Sequence, residues 1–260
     1  MEFNTIFFET DGPVAIITLN RPKALNALSS ELIGELDQAV DAIKKDSEVR
    51  AVIITGGPKA FAVGADLTEI IDISEPAQAR SYVTNVQGVF NKIENLDRPV
   101  IAAVAGFAFG GGCELSLACD MRIAAENAQF GLPEIKLGLL PGAGGTQRLP
   151  RLIGVGLAKQ HIFSGDPFDA QEAYRIGLVN KLVPNNSLLE EAMKMAKTFT
   201  QRPGFTLKTI KGLINEGLDM PLKAALAHEM RSFEILFATK DKKEGVTAFV
   251  KKRKPVFQHR

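Results

Sequence analysis

Val100-Ile101-Ala102-Ala103-Val104-Ala105-Gly106-Phe107-Ala108-Phe109-Gly110-Gly111-Gly112-Cys113-Glu114-Leu115-Ser116-Leu117-Ala118-Cys119-Asp120-Met121-Arg122-Ile123-Ala124-Ala125 runs through strand, corner, helix and strand in immediate succession. An apolar strand is expected at 100–104, a short helix at 113–119 and a second strand at 121–125. Near-continuous apolar strands alternating with helix are the pattern of a sheet covered on both faces, an α/β core. Glu114 is the anomaly in this stretch. A helix face of Cys, Leu, Ser and Ala is poor surface material, and a carboxylate there loses hydration unless something needs it.

The same pattern extends outward in both directions. Val14-Ala15-Ile16-Ile17-Thr18-Leu19 and Ala51-Val52-Ile53-Ile54-Thr55 read as strands stopped by Asn20-Arg21-Pro22 and Gly56-Gly57-Pro58. Ser30 is placed as the cap of a helix to about Lys45, with Leu32, Ile33, Leu36, Val40 and Ile43 at helical spacing. A further helix is expected over 75–95. After Val183-Pro184 the strand signals fade, and 187–249 reads as helices broken at Pro203-Gly204 and Pro221. The expected division is a core with the active site over 1–195 and a helical C-terminal region over 196–260. An apolar stripe there (Leu222, Leu226, Met230, Phe233, Phe237) has core packing as its simpler explanation and a subunit contact as the other.

Composition narrows the function classes. With 260 residues, 45% of them hydrophobic, the chain can bury a sizeable core. A net charge of +1 argues against nucleic acid or an anionic membrane as a global electrostatic partner. The basic tail Lys251-Lys252-Arg253-Lys254 reads first as solvated charge. No apolar run approaches the roughly 18 residues that span a bilayer, and no basic-then-apolar leader opens the chain. Cys113 and Cys119 suggest a reducing compartment without a disulfide framework, so the expected location is cytoplasmic. His161, His228 and His259 are scattered, and no metal site is expected.

A second carboxylate resembles the first in its setting: Glu134 in Phe130-Gly131-Leu132-Pro133-Glu134-Ile135. If both line one cavity, mutual repulsion and burial raise at least one pKa, so one is protonated while the other is a base. The Gly110-Gly111-Gly112 cluster leaves N–H groups free at a helix start. It fits a phosphate cradle, an oxyanion hole or a tight turn; the phosphate-loop spacings are not matched, and Glu114 favours the oxyanion hole. Phe61-Ala62-Val63-Gly64-Ala65-Asp66-Leu67 offers a second donor, and Pro141-Gly142-Ala143-Gly144-Gly145-Thr146-Gln147-Arg148 offers another pocket wall or a plain turn.

Taken together with Arg21-Pro22-Lys23-Ala24-Leu25-Asn26-Ala27-Leu28, Ala118-Cys119-Asp120 and Glu244-Gly245-Val246-Thr247-Ala248-Phe249, these motifs resemble the crotonase (enoyl-CoA hydratase/isomerase) superfamily nearly end to end. The resemblance implies a spiral of ββα units with a C-terminal helical trimerisation region, assembled as a homotrimer or a dimer of trimers. It implies acyl-CoA thioester substrates, no metal and no cofactor beyond the CoA carried by the substrate. Position by position, the N–H groups of Ala65 and Gly111 match the oxyanion hole, and Glu114 and Glu134 match the two glutamates of the hydratases. Lys23, Ala24, Leu25, Val63 and Lys252 match CoA-contacting positions. Ala62, Gly64, Asp66, Leu67, Gly110, Pro133 and Gly142 complete the implied substrate-binding set.

Both glutamates together imply reversible syn hydration of a 2-trans-enoyl-CoA to a 3-hydroxyacyl-CoA. Hydration of a branched substrate such as 3-methylglutaconyl-CoA and double-bond isomerisation are the neighbouring activities. A non-catalytic RNA-binding protein is the reading from another class. The pattern has Lys two residues after the Asp of Gly-Ala-Asp, whereas this chain has Thr68, so that CoA contact is absent or replaced. Acyl-chain selection is expected from 67–95 and the C-terminal helices.

Overall fold

The computed structural model describes residues 2–259. Among the described residues, ten strands divide between two sheets. A hairpin of β1 (Ile6–Asp11) and β2 (Val14–Leu19) opens the chain. Three strand pairs follow: β3 (Ala51–Thr55) with β4 (Ala60–Ala62), β5 (Val100–Val104) with β6 (Phe107–Phe109), and β7 (Met121–Ala125) with β8 (Gln129–Gly131). Two short strands, β9 (Phe168–Asp169) and β10 (Lys181–Val183), complete the set.

The large sheet runs β1-β2-β3-β5-β7-β10 and the small one β4-β6-β8-β9. Each strand pair therefore gives its first strand to the large sheet and its second to the small one. Both sets advance in parallel, which winds the chain as a spiral. Helix Pro76–Glu94 and helix Gly111–Ala118 make the return connections.

Alternation along the large sheet explains why its strands are apolar throughout. Val52, Ile54, Ala102 and Val104 face the main core with helices Ser30–Lys45 and Pro76–Glu94. Ala51, Ile53, Ile101 and Ala103 face the other way, onto Leu188, Ala192 and Ala196 of helix Leu188–Thr200. The division expected at 195/196 falls within that helix, whose Ala192 and Ala196 are buried on the sheet.

Three local expectations are corrected. The cap of helix Ser30–Lys45 is Ser29, whose Oγ accepts the Leu32 N–H at 3.2 Å; the Ser30 N–H and hydroxyl instead donate to Glu69. The helix expected at 113–119 begins two residues earlier, because Gly110 O already accepts the Glu114 N–H at 2.9 Å. The C-terminal apolar stripe is not core: within the chain Leu222 is 74% exposed and Phe233 59%. Among the described residues no helix is long and apolar enough to cross a membrane.

Candidate active site

Gly110 turns the corner between β6 and helix Gly111–Ala118 at φ 50° and ψ −126°, a conformation that steric clash of a Cβ reserves for glycine. Its N–H donates to Gly131 O at 2.9 Å, which ties the helix start to the end of β8. Glu114 lies in the first helical turn and is only 2% exposed. Its Oε1 accepts two backbone N–H groups, from Ala143 at 2.8 Å and Gly145 at 2.7 Å. Burial nevertheless pushes its pKa up to about 7; the Glu134 charge adds to the rise, while the two amides and Arg148 act against it.

Glu134 follows β8 on the 3-10 segment Pro133–Leu137. Burial raises its pKa as well. Its Oε2 is buried with no hydrogen-bond partner among the described residues. A Cβ on Gly110 would stand 3.1 Å from its Oε1, so glycine is what lets this carboxyl lie against the corner. A buried carboxyl oxygen without a protein partner is uncommon in a native fold.

The raised pKa of Glu114 has a consequence for stability. The folded state holds the proton more tightly than the unfolded chain, so folding is favoured at low pH and loses free energy as pH climbs from about 4.5 to about 7. At about 1.4 kcal/mol per pH unit, that displacement is worth about 3 kcal/mol. Glu114→Gln cannot ionise, so urea unfolding should show the variant gaining on the wild type across this window by an amount of that order. A pH-independent difference would show that Glu114 is not held at a raised pKa.

The first candidate N–H donor, Ala65, is placed by a parallel bridge to Leu28. Leu28 N–H donates to Gly64 O at 2.7 Å and Asp66 N–H to Leu28 O at 3.1 Å. This pattern uses the residues on either side of Ala65 and turns the Ala65 N–H away from Leu28. The Gly111 N–H is one of the orphan donors of its helix start. A Cβ built on Gly111 would be 3.6 Å from Ala65 N, so the two backbones are close neighbours. Asn26, at φ 58°, holds the loop from behind by donating to Ala60 O and Phe61 O at 3.1 Å. Arg21 pairs with Asp66 at 2.9 Å.

A cavity of about 540 Å³ joins these parts. Ten of the residues singled out from the sequence form part of its wall: Val63, Gly64, Ala65, Leu67, Gly110, Gly111, Glu114, Pro133, Glu134 and Gly142. Lys23, Ala24, Leu25, Ala62, Asp66 and Lys252 lie outside it. Asp66 caps helix Leu67–Ile70 by accepting the Thr68 N–H, Ala62 is buried in β4, and Lys23 and Lys252 are exposed. The far wall comes from Ile70, Ile73, Tyr82, Val83, Val86 and Leu140; among the described residues, the C-terminal helices of the same chain do not line it. Tyr82 escaped the sequence reading, although its spacing with Ala79, Val83 and Val86 marks one helix face. Burial, with nearby Glu69, Asp66 and Glu114, pushes its phenol up to about 12, so it remains protonated.

Comparison with known proteins places this arrangement. The family model described as enoyl-CoA hydratase/isomerase matches residues 9–260. The chain belongs to the enoyl-CoA hydratase/isomerase family. Within that family it is 47% identical over 255 residues to the short-chain-enoyl-CoA hydratase of Clostridium acetobutylicum, covering 98% of this chain and 97% of the relative. It is 46% identical over 258 residues to the crotonyl-CoA hydratase of Syntrophomonas wolfei, covering 99% of each. The crystal structure of an enoyl-CoA hydratase from Bacillus anthracis superposes with a TM-score of 0.95 at 42% identity, over 99% of this chain and 100% of that one. The two-sheet spiral is thus the crotonase fold of the family.

Proposed function

We propose that this chain is an enoyl-CoA hydratase acting on a short 2-trans-enoyl-CoA, with Ala65, Gly111, Glu114 and Glu134 as its working groups. One observation carries the assignment: a buried and a half-buried carboxyl group and two adjacent backbone N–H donors open onto the same apolar cavity. Addition of water at C3 drives the π electrons of the double bond onto the thioester oxygen. Preorganised N–H donors stabilise the enolate where that charge develops. The cavity size suits a small acyl group and its thioester.

The two carboxyls divide the proton work according to their surroundings. Glu114, its pKa pushed up to about 7 by burial against the pull of its two amide donors, exchanges its proton near neutral pH, and its second oxygen accepts from the attacking water when ionised. Glu134, raised by burial and with an unpartnered oxygen, carries the proton for C2. The water oxygen bonds to C3, one water proton passes to the carboxylate pair, and Glu134 gives a proton to C2. The pair ends with as many protons as it began with, so no cofactor is required.

Exposed Lys23, together with Ala24 and Leu25, sits on the turn leading to the Leu28–Ala65 bridge and is assigned to the CoA moiety, as is Lys252. The exposed stripe from Leu222 to Phe237 is assigned to self-assembly as a trimer or dimer of trimers, on the strength of its apolar area. Adding the protein to crotonyl-CoA should lower the ultraviolet absorbance of the conjugated thioester to its equilibrium level and yield 3-hydroxybutyryl-CoA. Unchanged absorbance with crotonyl-CoA and with longer and branched enoyl-CoAs would refute the assignment.

A further inference from the structure

Glu114 depends on a turn that has no obvious reason to be rigid. Residues 143–145 supply its two N–H donors, yet the middle residue, Gly144, sits at φ 114° between a proline-glycine loop and a helix start. What holds the turn is Arg148. Its Nη1 donates to Ala143 O at 3.0 Å, and the same nitrogen lies 2.1 Å from where a Cβ on Gly144 would stand. The guanidinium therefore occupies the space that glycine leaves open.

The other side of the fork is anchored fifty residues away in sequence, on helix Pro76–Glu94. Nε donates to both Glu94 oxygens at 3.2 Å, while Nη2 donates to Glu94 Oε2 at 2.7 Å and to Asn91 Oδ1 at 2.7 Å. The Arg148 side chain is only 13% exposed although its partners Glu94 and Asn91 reach solvent, and the two-sided grip gives the planar fork one orientation.

We propose that Arg148 is a positioning residue of this active site: clamped by Glu94 and Asn91, its guanidinium fixes the 143–145 turn whose amides grip the Glu114 carboxylate. The groups around Glu114 leave this task to Arg148. Glu134 faces it with like charge from the 3-10 turn. The Tyr82 phenol and the Cys113 thiol, each pushed up to about 12, are neutral. Arg148 is the cation whose charge opposes that of the glutamate pair at Glu114. This role rests on the hydratase reading for its effect on rate, but the grip on Glu114 does not.

The test compares Arg148→Met and Arg148→Lys in the full chain with two readouts. One is the acid limb of kcat/KM for crotonyl-CoA hydration. The other is an infrared carboxyl titration of the substrate-free protein, with Glu114 assigned by difference from Glu114→Gln. Arg148→Met should raise the Glu114 midpoint and the acid limb together by about half a pH unit or more, and lower kcat about tenfold. Arg148→Lys keeps the charge without the fork, so its midpoint should rise by less than in Arg148→Met, through the loosened amides alone, while kcat stays reduced. It also serves if Arg148→Met does not fold. A lowered melting temperature with midpoint and kcat unmoved in the folded variants would reduce Arg148 to a structural residue and overturn the proposal. If the wild type hydrates nothing, the hydratase reading falls and the infrared midpoint of Arg148→Lys decides: a rise supports the positioning role and an unmoved midpoint overturns it.

Discussion

Glu134→Gln and Glu114→Gln should each slow crotonyl-CoA hydration by about 10²–10⁴-fold in kcat, with little change in KM. The size follows from what the amide cannot do. Gln has nearly the shape of Glu, so at position 114 its carbonyl oxygen still accepts the Ala143 and Gly145 N–H groups and the turn stays in place. The negative charge that draws on the attacking water is gone. At position 134 the amide cannot hand a proton to C2 and recover it. On the proposed reading that the two groups act as one relay, the double variant should be only slightly slower than the worse single one. Rates multiplying in the double variant would mean independent roles, and near-wild-type turnover in either single variant would end the two-carboxylate mechanism.

The parts of this site that were legible in sequence are those written as local contrast. A charge among apolar residues exposed Glu114 and Glu134, and apolar runs gave β2, β3, β5 and β7 with their observed bounds. The small sheet left no comparable trace. β4, β6 and β8 have three residues each, and what holds them is pairing with one another across the spiral, not propensity. The exposed C-terminal stripe shows another limit, since an apolar helix face has the same periodicity whether its own chain or another covers it. The Arg148 clamp joins residues 54 apart, a pairing that no local pattern announces. Ser29 and Ser30 are equally good caps by type, and the choice between them was made by Glu69, which takes the Ser30 N–H and hydroxyl.

Gly112→Ala is expected to be the most damaging single methyl group in the site, although Gly112 is outside the cavity wall. A Cβ there would stand 2.1 Å from Ala62 O, 2.6 Å from Ala62 C and 2.7 Å from Ala62 Cβ. The first two contacts are with strand backbone, which cannot swing aside as a flexible side chain can. Helix Gly111–Ala118 must therefore back away from β4, and with it the Gly111 N–H from the Ala65 N–H at the end of the neighbouring loop. Loss of one aligned oxyanion donor costs on the order of 10²–10³ in kcat. Overpacking at this contact should also lower stability by about 1–3 kcal/mol. The same substitution at Gly88, in helix Pro76–Glu94, meets nothing within 4 Å. There alanine should stabilise by about 0.5–1 kcal/mol and leave turnover alone. Steady-state kinetics and thermal melts on the pair separate steric displacement of the hole from a general effect of glycine replacement. A Gly112→Ala enzyme with wild-type kcat would mean that the two N–H groups need not be held at this spacing.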